Sequence, residues 1–75
     1  MKINVGDLFT IKKVDEITKF LTIGELVKST MAFSEAKPNT CVTVDRVNGS
    51  IGRTTLANVL ASQLEPYKGE ETNGN

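Results

Sequence analysis

The dipeptide Asn48-Gly49 constrains this chain more than any other feature, because it separates an alternating run, Cys41 to Val47, from a second apolar-rich run that begins at Ile51. A two-residue type I′ turn needs positive φ at both central positions, and Asn-Gly meets that demand at low cost. The pattern predicts a strand over 40–47 and a returning partner over Ser50–Thr55. A hairpin of this kind places the chain in a largely β class.

The remaining segments are less decisive. Val5-Gly6-Asp7 reads as a turn feeding a strand, Leu8 to Val14, with Phe9 and Ile11 on its core face and Thr10 and Lys12 on the other. Residues 15–33 carry two readings. Thr22-Ile23-Gly24-Glu25 has the form of a capping box, and Ile23, Leu26, Val27, Thr30 and Met31 then share one helical face. Against this, Gly24 costs about 1 kcal/mol inside a helix, and the many β-branched residues suit a strand over 24–29. The reading adopted is a short helix within 22–33. Lys37-Pro38-Asn39 makes a loop, since Pro38 pushes Lys37 out of the helical region. Residues 56–64 fit either a helix or an extension of the hairpin strand. Pro66 ends that element, the domain spans 1–67, and the wholly polar tail 68–75 frays.

A chain of 75 residues makes one domain with a thin core, since only roughly 60% of so short a chain's surface is buried on folding. Dimerisation is one way to supplement that core. Nine basic and nine acidic residues cancel and are scattered, which argues against the basic excess expected of a phosphate-tracking surface. Cys41 is the single cysteine and there is no histidine, so neither a disulfide nor a Cys–His pair can form within the chain. Inside its strand pattern, Cys41 reads as a small buried or half-buried hydrophobe. No apolar window approaches the roughly 18–20 residues of a membrane span, and Met1–Asp7 lacks a signal-peptide h-region. A cytoplasmic location is expected.

Two fragments carry a resemblance. Val5-Gly6-Asp7-Leu8-Phe9-Thr10-Ile11 is similar to the Gly-Asp-led first strand of SH3-like small β-barrels. Ala61-Ser62-Gln63-Leu64-Glu65-Pro66-Tyr67 is similar to the short 3₁₀ turn and last strand that close them. The Asn48-Gly49 hairpin sits where the distal hairpin of such a barrel falls. The resemblance implies a mainly β fold: a five-strand, strongly curved SH3-like sheet decorated by one short helix. The alternative architecture is α+β, two short helices packed on a small antiparallel sheet. The aromatic platform of signalling SH3 domains is missing, so recognition of proline-rich peptides is not carried over. Neutral small proteins of this style also resemble phage-encoded modulators of host proteins.

Candidate chemistry is sparse. Gly49-Ser50-Ile51-Gly52-Arg53-Thr54-Thr55 fails as a P-loop, because Val47 occupies the place of the first glycine and Arg53 that of the lysine. A looser anion site at Gly49, Gly52, Arg53 and Thr54 survives. Asp15-Glu16 and Asp45-Arg46 are adjacent pairs whose side chains diverge, so neither suggests acid–base catalysis. No calcium-like loop or zinc ligand set is present. The expectation is a protein that is not an enzyme, with no metal and no cofactor: a binding module that modulates or inhibits a host or regulatory protein. Its contact residues would be Met31, Phe33, Asn48 and Arg53, at the hairpin tip and the 31–39 loop. Two alternatives stay open. One is a nucleic-acid-binding accessory protein using Lys12, Lys13, Arg46 and Arg53, and the other a binder of a small anionic nucleotide-like ligand near Gly49.

Overall fold

The computed structural model describes residues 1–48 and 55–68. Five strands, β1 (Leu8–Ile11), β2 (Leu26–Ser29), β3 (Cys41–Arg46), β4 (Leu56–Leu60) and β5 (Leu64–Pro66), form one antiparallel sheet in the order β4-β3-β2-β1-β5. A 3₁₀ turn, Ala61–Gln63, joins β4 to β5. The sheet is open, with β4 and β5 as its two edges. The 3₁₀ turn and following strand fall where the fragment 61–67 predicts them, and β1 follows the Val5-Gly6 turn as expected. Residues 56–64, readable either way in the sequence, are strand and 3₁₀ turn.

The flanks of Asn48-Gly49 do pair, but in a different register from the expected one. Cys41 lies opposite Leu60 and Asp45 opposite Leu56, and the Arg46 N–H donates to the Thr55 carbonyl at 3.0 Å. A two-residue turn at 48–49 would have paired Arg46 with Ile51. The reason lies on the core face. The tight register would set Val44 against Arg53 and Val42 against Thr55, whereas the observed one sets Val44 against Ala57 and Val42 against Val59. Residues of one face alternate with period two, so register follows the apolar set over the preference of the turn. The returning strand is therefore Leu56–Leu60. Of the partner expected over 50–55, only Thr55 lies within the described residues.

The helix expected within 22–33 is not formed, and neither are the two helices of the α+β alternative; the described residues contain no α-helix. The capping-box contact exists all the same. The Thr22 N–H donates to Glu25 Oε2 at 2.6 Å and the Glu25 N–H to the Thr22 carbonyl at 3.0 Å, closing a four-residue turn. Gly24 sits in that turn at φ +93°, a left-handed conformation that a helix cannot contain. Beyond it β2 finds partners on both sides, β1 and β3, and its Val27 and Ser29 point into the core. Tertiary pairing outweighs the helical spacing.

The strands bury one face: Phe9 and Ile11 from β1, Val27 from β2, Val42 and Val44 from β3, Ala57 and Val59 from β4 and Leu64 from β5. With no helix to cover that face, the connections do so. Ile3 bridges to Phe33, Leu21 comes from the 12–25 connection, and Ala36 comes from the 30–40 connection. The 12–25 connection is pinned by polar groups as well. Thr18 and Gln63 are each 2% exposed; the Gln63 amide donates to Thr18 Oγ1 (2.9 Å) and to the Lys13 carbonyl (3.2 Å), and its oxygen accepts from the Leu60 N–H (2.8 Å). No buried side-chain donor or acceptor among the described residues lacks a partner. Cys41, expected to be buried or half-buried, is instead exposed on the outer face of β3, because the core-facing positions of that strand are Val42 and Val44.

Two outcomes test this packing. Ile11→Ala removes a side chain that is 1% exposed at the centre of the core, and should lower unfolding free energy by about 2–5 kcal/mol in urea titration. Gly24→Ala adds a Cβ with nothing within 4 Å, so its cost should be backbone strain alone, about 1–2 kcal/mol.

Candidate functional site

The contact residues expected from the sequence are not gathered in one place. Met31 lies beside the middle of β3: the Thr43 N–H points at its Sδ at 3.3 Å, and its carbonyl accepts from Ser29 Oγ at 2.7 Å. Phe33 is half-buried, bridged to Ile3 and packed against the core, so its ring is mainly structural. Asn48 is exposed in the turn after Arg46, at the other end of β3. Arg53 and the weaker anion-site residues Gly49, Gly52 and Thr54 lie outside the described residues. Thr55, next to them, donates its hydroxyl to Asp45 Oδ1.

Arg46 is committed elsewhere. Its guanidinium grips Glu25 in a fork, Nε to Oε1 at 2.9 Å and the terminal nitrogen to Oε2 at 3.1 Å, and its carbon lies 5.8 Å from the centre of the Phe20 ring. Bidentate Arg–carboxylate pairs are among the stronger polar contacts, and stacking on an aromatic face adds to them. Through Glu25 the same unit reaches the Thr22 N–H, so it ties the 22–25 turn to β3. It fixes the end of the 12–25 connection, and two of the five guanidinium donors are already spent.

Two of the clefts among the described residues have a distinct chemistry. Beside the β5 edge, a cleft collects Lys12, Lys13 and Lys37 around an apolar floor that includes Ala36, Pro38, Ala61, Leu64 and Pro66. None of the three lysines forms an ion pair among the described residues. Of the two acids at this cleft, Glu35 is matched by the Met1 ammonium at 3.2 Å, which leaves Glu65. Along the β4 edge, a smaller cleft is lined by Ile17, Phe20, Thr43, Leu56, Ala57 and Asn58, with no charged group. Ile17, Phe20 and Leu56 are 81%, 56% and 55% exposed.

Sequence reasoning found Lys12 and Lys13 but not their partner Lys37, because the cleft is assembled from four separate segments. Ile17, Phe20 and Leu21 carry the i, i+3, i+4 spacing of a helical face. In the fold only Leu21 is buried, since these residues form an irregular turn rather than a helix. Among the described residues no group of three or more His, Cys, Asp or Glu side chains could hold a metal, and no helix is long and apolar enough to cross a membrane.

Two carboxylates couple this scaffold to pH. Asp15 accepts from the backbone N–H groups of Thr18 and Ile17 and from Thr18 Oγ1, and these bonds, led by Thr18's, hold its pKa below the ordinary value of 3.8. For Glu25, burial pushes the pKa up, but the bonds from Arg46 and the Thr22 N–H outweigh it and the net direction is down from 4.5. Both folded values are depressed, so the stability they supply is full above the ordinary carboxylate range. It is lost as pH falls through 4.5 and 3.8 to the lower folded values. The urea midpoint should therefore fall between neutral pH and pH of about 3. The double variant Asp15→Asn, Glu25→Gln should flatten that slope.

Compared with protein-family models, curated proteins and solved structures, the chain finds no match.

Proposed function

We propose that the chain is a non-enzymatic binding module that modulates or inhibits a partner protein, and that the cleft beside β5 docks an acidic segment of that partner. The observation that carries this reading is the set of Lys12, Lys13 and Lys37, unpaired among the described residues, around an apolar floor. An acidic segment would gain charge-assisted contacts at the rim, where fields steer encounter, and bury apolar area beneath. The strand order, the 3₁₀ turn before β5 and the Gly-Asp start of β1 support a kinship with SH3-like small barrels as the scaffold.

The same lysines favour a second reading, nucleic-acid binding. It gains nothing from Arg46, whose fork is held by Glu25, and little from the overall charge, which is nine against nine. Phosphate tracking depends steeply on salt and on the number of cations engaged.

The experiment is affinity capture from the native cells, with the wild type, the double reversal Lys12→Glu, Lys13→Glu, and the control Lys19→Glu. The expected result is one protein retained by the wild type and the control after nuclease treatment, and reduced about tenfold or more by the double reversal. Capture that vanishes with nuclease, or that ignores the double reversal, overturns the reading.

A further inference from the structure

The two edges of the sheet are not alike. An open edge presents unpaired backbone groups, and proteins protect such edges with charge, proline or brevity. The β5 edge has all three: it is three residues long and contains Glu65 and Pro66. The β4 edge has none of them, being five residues, Leu56-Ala57-Asn58-Val59-Leu60, without charge or proline. Its surroundings are apolar as well, with Ile17 and Phe20 exposed beside it.

The hydrogen-bond parity of the β3–β4 ladder says which groups face outward. Arg46 N bonds the Thr55 carbonyl and Ala61 N the Thr40 carbonyl, so the odd-numbered residues of β4 turn their backbone toward β3. Asn58, midway between, turns both its N–H and its carbonyl to the open edge. The Leu60 N–H is also turned outward, but the Gln63 side chain already accepts it. Main-chain pairing at this edge is therefore centred on Asn58.

We propose that β4 is a dimer edge at which a second copy of this chain adds its own β4, antiparallel, about a two-fold axis through Asn58. The occupant is identified by self-complementarity. An antiparallel pair centred on Asn58 exchanges two backbone bonds between the two Asn58 residues. It sets Leu56 of each copy opposite Leu60 of the other, on the face where both are exposed. No like charges meet, because the strand has none. Ile17 and Phe20 of each copy flank the added strand, so the most exposed apolar side chains near this edge leave water together. A 75-residue chain with a thin core gains stability from such a partner. The proposal is independent of the cleft beside β5, which lies at the opposite edge of the sheet.

The test is sedimentation equilibrium of the full chain from micromolar to near-millimolar concentration, with Asn58→Pro and Leu60→Lys. Neither variant removes a backbone bond of the β3 ladder or a core side chain. Asn58→Pro does remove the bond that Thr43 Oγ1 donates to Asn58 Oδ1 (2.7 Å), and circular dichroism melts check that each variant folds. The expected result is a monomer–dimer equilibrium in the wild type, weakened about tenfold or more in both variants. It should be unchanged in the Lys12→Glu, Lys13→Glu double reversal. Should Asn58→Pro fail to fold, Leu60→Lys decides together with amide exchange in the wild type, where the Asn58 amide is protected only at high concentration. A wild type that stays monomeric throughout overturns the proposal, and so does a dimer that survives Leu60→Lys or exchanges its Asn58 amide freely.

Discussion

Burying one face of a thin sheet with no α-helix among the described residues to lay over it is the constraint that organises this molecule. It decides the β3–β4 register, where Val42 and Val44 must meet Val59 and Ala57 rather than Thr55 and Arg53. It also decides what the connections do. The 12–25 and 30–40 segments act as the second layer, and Ile3, Leu21 and Ala36 are their contributions to the core. In a domain of this size each contribution is a sizeable part of a small total.

Covering a core with irregular backbone creates its own demand, because loop segments carry polar groups that a helix would satisfy internally. The fold meets it with side chains. Asp15 caps the turn that follows it, Thr18 and Gln63 join that turn to the β4–β5 connection, and Glu25 with Arg46 closes the far end. Polar contacts therefore position the layer that apolar contacts fill. The lysine cleft beside β5 and the neutral cleft along β4 are each bordered by residues of this covering layer, Lys12, Lys13 and Lys37 at the first and Ile17 and Phe20 at the second.

Much of the β framework was legible in the residues. Phe9 and Ile11 announce β1 by alternation, Val42 and Val44 announce β3, and the fragment from Ala61 to Tyr67 carries its 3₁₀ turn and short strand openly. The errors share one cause, which is that a local signal was read as if it acted alone. Asn48-Gly49 favours a tight turn, yet four positions of register were exchanged for an apolar partner strand. Thr22 and Glu25 form their reciprocal contact, yet around a left-handed Gly24 rather than at a helix start. Cys41 alternates with valines but falls on the outer face. The candidate sites were less legible still, since Lys37 joins Lys12 and Lys13 only after three connections have folded. Ile17 and Phe20 have helical spacing that the backbone never uses.

Gln63 links two parts of the chain that are distant in sequence, with its amide nitrogen serving Lys13 and Thr18 and its oxygen serving Leu60. A glutamate there would be nearly the same size, but its carboxylate could donate to neither acceptor. It would face the Lys13 carbonyl with an unfavourable oxygen–oxygen contact and could bond Thr18 only by drawing its hydroxyl away from Asp15. The segment before β5 is thus not free to drift in length or composition without a matching change near residue 18. Descendants of this chain should vary the two loops as a single inherited unit.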